Sequence, residues 1–164
     1  ISNKKGMSTI EFAISLMVFI LIFSYIFDLV LITYNQYSIS EQTTQIARQI
    51  AKQSGCLRIT PYNFPGGEKN YYSTTELYNI MNEKMIKLGI TEDKWDIVIK
   101  TNDKSFTLTP TSPGFNTEYG EYISVETTYN YEWGLWSQFL PKAVEGKTVV
   151  NRGAFSEYNH DFLN

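Results

Sequence analysis

The sequence has 164 residues, a net charge of −3 and 14 scattered Lys and Arg residues, which excludes the clustered basic surface of a nucleic-acid-binding domain. A single cysteine, Cys56, excludes an internal disulfide, so packing alone must hold the fold together. The aromatic content of 15% favours a β-rich domain of modest size.

The N-terminal segment is predicted to be a membrane-spanning helix. The run from Phe12 to Phe27 carries no charge, and apolar character resumes after Asp28 as far as Tyr34. As a helix these residues extend about 35 Å, which is enough to cross a bilayer. A cleaved secretory signal is the first alternative, but this stretch is too long and lacks a small-residue cleavage site.

Basic residues near this segment predict its orientation. Lys4 and Lys5 precede the apolar run, and no further Lys or Arg occurs before Arg48. The positive-inside rule therefore keeps the N-terminus cytoplasmic and exports the rest of the chain.

Two acidic residues accompany the apolar run, Glu11 at its edge and Asp28 inside it. A carboxylate deep in a membrane costs on the order of 2.5–3.5 kcal/mol and usually has a partner. The two acids lie about 25 Å apart along a helix and about 100° apart around it, so they cannot form one site. We therefore expect each acid to find a partner on another helix during assembly. For Glu11 the alternative is a position at headgroup level, and for Asp28 a polar contact with Ser24, Thr33 or solvent.

The residues around Glu11 resemble a known processing site. Gly6-Met7-Ser8-Thr9-Ile10-Glu11-Phe12 is similar to the prepilin-peptidase site of type IV pilins and pseudopilins. With Asp28 included, the stretch is closest to TadE-like pseudopilins of tight-adherence pili. The alternating strand Tyr122–Tyr131 and the closing strand Asn151–Glu157 also resemble that group.

The resemblance implies cleavage between Gly6 and Met7; processing upstream of Ile1 is the alternative. It also implies that Glu11 is the fifth mature residue. A new α-amino group at Met7 would be largely protonated at pH 7, and Glu11 of a neighbouring helix could pair with it. The implied partners are other pilins, a prepilin peptidase, a platform protein and an assembly ATPase.

Beyond the membrane the pattern predicts a stem helix that continues to Ser54 and stops at Gly55. Residues 1–6 are then a leader-like basic segment, 7–54 the transmembrane and stem helix, and 55–164 an extracytoplasmic globular domain. Within that domain, Ser73-Thr74-Thr75-Glu76 has the spacing of a capping box and predicts a second helix that ends at Gly89.

Strands are predicted at Trp95–Lys100, Ser105–Thr109, Tyr122–Tyr131 and Thr148–Phe155. In the third, alternation predicts one packed face with Ile123 and Val125 and one wet face with Ser124 and Thr128, among others. The predicted fold is α+β and pilin-like: a long N-terminal helix, then a small helix packed on an antiparallel β-meander.

No catalytic chemistry is predicted. His160 is a lone histidine near the C-terminus, Cys56 has no partner by spacing, and no metal or cofactor site is evident. Trp133 and Trp136 are candidates for a contact surface, although inward packing is the alternative.

These observations predict a structural protein that waits in the cytoplasmic membrane and then assembles into an extracellular, type IV-like helical filament. The main alternative is a signal-anchored cell-surface binding protein that does not polymerise. A membrane-tethered hydrolase is a remote third option.

Overall fold

The computed structural model describes residues 3–56, 72–102, 104–132, 134 and 145–157, with side chains beginning at residue 9 and omitting those of 132 and 145. The chain forms two compact units. One contains Ile1–Tyr34 and Glu132–Gly146, and the other contains Asn35–Tyr131 and Lys147–Asn164.

Helix α1 comprises Asn3–Gln53. It begins four residues before the predicted start at Met7, because no residue in between breaks a helix; Gly6 costs only about 1 kcal/mol in such a position. The predicted stop is confirmed, since Ser54 and Gly55 have φ angles of 56° and 130°. Both lie in the region where an α-helix cannot continue.

A short antiparallel ribbon follows α1 and was not predicted. Strand β1, Gly55–Cys56, pairs with β4, Phe115–Asn116. The two backbones approach so closely that a Cβ added to Gly55 would lie 2.2 Å from the carbonyl oxygen of Phe115. Glycine is therefore required at this position.

Helix α2 comprises Thr74–Lys87 and begins at the predicted capping box. Glu76 N–H donates to Oγ of Ser73 over 3.1 Å, and the Ser73 N–H donates to Oε2 of Glu76 over 2.8 Å. Leu77, Met81 and Met85 of its apolar stripe are buried. The capping and core roles predicted for this helix are confirmed.

The main sheet has four strands. They are β2 (Trp95–Lys100), β3 (Ser105–Thr107), β5 (Tyr122–Glu132) and β6 (Glu145–Phe155), in the order β3-β2-β5-β6. Strand β2 pairs antiparallel with both β3 and β5. The α+β layout with an antiparallel sheet is therefore present.

The predicted meander is wrong. In a meander β5 would lie beside β3, but it pairs with β2 instead. After β3 the chain leaves the sheet to form β4 against β1 and then returns on the far side of β2. At β4 the chain lies against Gly55, where the absence of a side chain permits the close approach of Phe115.

The core of the second unit lies between α1, α2 and the sheet. Ile39, Ile46 and Ile50 of α1 are fully buried. Oγ1 of Thr43 donates to the carbonyl of Ile39 over 2.8 Å and lies 2.9 Å from Oγ1 of Thr127 on β5.

The predicted packed face of β5 is confirmed, since Ile123, Val125 and Tyr129 are fully buried. Its other face is less wet than expected, because Ser124 and Thr128 are also buried. Strand β5 is flanked on both sides, and Ser124 lies 2.7 Å from Oδ1 of Asn151 on β6.

Candidate assembly surface

The first half of α1 presents a continuous apolar surface. Ile10, Phe12, Phe19, Phe23, Phe27 and Tyr34 are 55–69% exposed. Phe19 stacks on Phe23 at 5.9 Å between ring centroids, and Phe23 lies 6.5 Å from Phe27. These rings follow the four-residue spacing of one helix face.

This surface is long and apolar enough to cross a membrane, and it belongs to the one helix among the described residues that meets those criteria. Exposed apolar patches of this extent mark membrane or protein interaction sites. The segment is therefore compatible with membrane anchoring.

Glu11 lies within this apolar surface. Its side chain is exposed, as are those of Ile10, Phe12 and Ile14 around it. Within the described part of the chain, no hydrogen bond or ion pair reaches its carboxylate. A charge surrounded by exposed apolar side chains is costly to take out of water without a partner.

Asp28 has a different environment. It is 2% exposed, and a Cβ added to Gly134 would lie 3.4 Å from its Oδ1. The hydroxyls of Ser24 and Thr33 donate to the carbonyls of Ile20 and Leu29 in their own helix. Their protons are therefore not offered to Asp28, and the carboxylate is covered by its own chain.

The structure describes the other predicted site residues only in part. Gly6 and Met7 lie on the helical backbone of α1, but their side chains are outside the described set. Trp133, Trp136 and His160 also lie outside the described residues.

Cys56 is fully buried. Its thiol donates to the carbonyl of Tyr72 over 3.0 Å and lies 3.3 Å from Nε2 of Gln53. These contacts hold the thiol between the end of α1 and the start of α2, which is a structural environment. In the residues that the structure describes, no group of three or more His, Cys, Asp or Glu could hold a metal ion.

The side chain of Gln53 joins two distant points of the chain. Its Nε2 donates to the carbonyls of Gly55 (2.7 Å) and Tyr72 (2.8 Å), and its Oε1 accepts the Tyr72 N–H over 2.9 Å. No role was predicted for Gln53, because helical periodicity carries no signal for a contact between residues 53 and 72.

Two surface cavities were also missed. One, of about 280 Å³, is polar and includes Asn102, Lys104, Glu118 and Glu121 in its lining. The other, here called the basic groove, encloses about 190 Å³ between α1 and α2. Six residues define the basic groove: Gln45, Ile46, Arg48, Lys52, Leu77 and Ile80.

Comparison with known proteins identifies no relative: no family model, curated protein or solved structure matches this chain. The resemblance to type IV pilins therefore stays a prediction that rests on the residues around Gly6 and Glu11 and on the two C-terminal strands.

Proposed function

We propose that this chain is a structural subunit of an extracellular, type IV-like filament. Its apolar helix holds it in the cytoplasmic membrane before assembly. During assembly the apolar surfaces of neighbouring helices exchange lipid for one another, and the globular unit faces outward. The pilin resemblance adds a prepilin peptidase, a platform protein, an assembly ATPase and other pilins as partners.

The observation that carries this proposal is the exposed Glu11 within an exposed apolar surface. A bundle of such helices removes water from the carboxylate, and an unpaired buried charge is strongly destabilising. A cation on the adjacent subunit offsets that cost. The α-amino group created by cleavage before Met7 has the required charge.

Such a pair also selects one stagger between neighbours. Two neighbouring helices held by apolar contacts alone can shift along each other with little change in energy, because one apolar contact replaces another. A single charge pair is satisfied at one axial offset and lost at others. Glu11 then determines the register as well as the stability of the bundle.

Asp28 contributes differently in this proposal. Its burial against Gly134 supports a role inside its own unit, while an additional contact with another subunit stays a prediction. The variant Asp28→Asn distinguishes the role within the unit from the contact with another subunit. Loss of assembly with an unchanged folded monomer supports the contact between subunits, and a destabilised monomer supports the role within the unit.

The test compares Glu11→Leu with Glu41→Leu, which removes an equal charge from an exposed position on the polar half of the same helix. Leu improves membrane insertion at residue 11, so a defect cannot be ascribed to poor anchoring. We expect Glu11→Leu to keep its membrane level and to lose sedimentable filaments. Glu41→Leu is expected to assemble as the wild type does.

Equal assembly of the two variants would contradict the pairing role of Glu11. A wild-type protein that stays monomeric in the membrane under assembly conditions would favour the alternative, a signal-anchored binding protein.

A further inference from the structure

The basic groove has an apolar floor and a cationic rim. Ile46 and Leu77 are buried at its base, and Ile80 forms a half-buried edge. Its volume of about 190 Å³ is below the range of about 300–1,000 Å³ typical of small-molecule sites. A groove of this size suits one inserted side chain.

The rim carries two like charges, and none of the described residues that line the groove is acidic. Arg48 and Lys52 are four residues apart on α1 and both are exposed. Across the described ranges, no ion pair joins either of them to an acid. Like charges at this spacing repel each other, so a ligand that brings carboxylates is favoured.

A turn of the same unit carries an exposed aromatic side chain and acidic residues, which complement the apolar floor and the cationic rim of the groove. Tyr119 is 75% exposed on the turn Glu118–Glu121, here called the tyrosine tip. The Glu121 N–H donates to the Glu118 carbonyl over 3.0 Å, and the Glu118 N–H donates to Oε2 of Glu121 over 3.0 Å.

Hydrogen bonds anchor the backbone of the tyrosine tip to neighbouring segments. The Gly120 N–H donates to the carbonyl of Ser156 over 2.9 Å, and the Asn102 N–H donates to Oε1 of Glu121 over 3.1 Å. An ordered backbone lowers the entropy lost when the turn binds, and Tyr is enriched among the residues that dominate interfaces. Lys104 lies next to the tip, so its positive charge offsets one of the two glutamates and the net charge of the tip stays negative.

We infer that the tyrosine tip of one copy docks into the basic groove of the next copy. Tyr119 enters the apolar floor, and Glu118 meets Arg48 and Lys52 at the rim. This inference rests on the proposed filament function and names a contact between the globular units of neighbouring subunits.

The positions of the two surfaces favour an open-ended assembly. The tip follows Asn116, which pairs with Gly55 beyond the end of α1. The groove is centred near residue 47, about 12 Å back along the helix. A copy displaced along its helix by about that distance brings its groove level with the tip of its neighbour. Two different surfaces in contact make a heterologous interface, which continues indefinitely unless it closes into a ring.

The first test is a charge exchange in the full-length protein, measured as sedimentable filament against membrane level. Arg48→Glu places like charges together and is expected to lower the polymer yield about tenfold or more. Adding Glu118→Arg restores opposite charges and is expected to recover most of the yield. Lys147→Glu, an equal charge change on an exposed residue of β6, is the control and is expected to assemble normally.

The second test is disulfide trapping of assembled protein. The single native cysteine, Cys56, is fully buried and does not interfere. Tyr119→Cys combined with Gln45→Cys is expected to give a ladder of covalent oligomers under mild oxidation. Each single variant is expected to give no ladder.

The outcomes separate this contact from the filament function. If Arg48→Glu assembles normally while Glu11→Leu does not, the docking contact is overturned and the filament subunit stands. A disulfide that forms within one chain also overturns it, because the groove is then occupied by its own molecule. If the wild-type chain forms no polymer, both proposals fail.

Discussion

Substitution of Gly55 tests whether the end of α1 determines the stability of the globular unit. Gly55 has φ 130°, and an added Cβ would lie 2.2 Å from the carbonyl oxygen of Phe115 and 2.9 Å from Cα of Asn116. Both are backbone atoms, so no side-chain rotation relieves the overlap. In Gly55→Ala, strand β4 must move away from β1.

The cost has two parts. Backbone strain at a position of this kind costs of order 1–3 kcal/mol. Separation of β1 from β4 also breaks the 3.1 Å hydrogen bond from the Thr117 N–H to the Ser54 carbonyl, and a lost hydrogen bond costs about 0.5–1.5 kcal/mol. We expect Gly55→Ala to lower the free energy of unfolding by about 2–4 kcal/mol.

Gly89→Ala is the matched control. Gly89 has φ 74°, and no heavy atom lies within 4 Å of an added Cβ. In this variant the only cost is that alanine must adopt a left-handed backbone conformation, which should lower the free energy of unfolding by about 1–2 kcal/mol. Urea unfolding of the full-length protein in detergent, followed by tryptophan fluorescence, measures both. Equal losses in the two variants would refute the argument from close approach.

Three further predictions concern the pH dependence, the core and the processing of the chain. Burial of the phenol, its hydrogen bond to Glu92 and the negative charge of Glu92 together raise the pKa of Tyr78 to about 12. The free energy of unfolding that this shift contributes is fully present below pH 10 and is lost as the pH rises towards 12. Tyr78→Phe should reduce that loss in urea unfolding between pH 10 and 12, and an unchanged slope would contradict it. Thr43→Val leaves the buried hydroxyl of Thr127 unpaired and should lower the free energy of unfolding by about 1–3 kcal/mol. Thr43→Val combined with Thr127→Val should cost less than the two single substitutions added together. Additive costs would show that the two hydroxyls do not interact. The intact mass of the native protein should correspond to a chain that begins at Met7, and a mass that retains Lys4 would exclude cleavage after Gly6.

Local patterns predicted the elements of this fold. The capping box at Ser73 located the start of α2, and the apolar run with its stem located α1. Period-two alternation placed β5 and its buried face. Each of these signals lies within a few residues of the element it specifies, so the sequence alone was sufficient.

The arrangement of the strands depended on long-range contacts. The pairing of β5 with β2 and that of β4 with β1 both join segments that are far apart in the sequence. Two strands of two residues each carry no periodic signal. The burial of Ser124 and Thr128 was missed for the same reason, since alternation does not reveal how many neighbours a strand has.

The candidate assembly surface was predictable in part. The acidic residue in an apolar run drew attention to Glu11, and the structure describes it as exposed there. The basic groove and the tyrosine tip could not be predicted, because each joins residues that are far apart in sequence, such as Arg48 with Ile80.

The contacts of Gln53 bear on how far the length of the stretch between residues 57 and 71 can change. Its amide clamps Gly55 to Tyr72, so both ends of the intervening stretch are anchored whatever its length. Doubling such a stretch adds only about 0.6 kcal/mol of closure entropy. Insertion of a peptide tag between residues 57 and 71 should leave the fold intact. Loss of the Gln53 amide should weaken the hold on Tyr72 without releasing it, because the Cys56 thiol still donates to the Tyr72 carbonyl and Gly55 still pairs with Asn116.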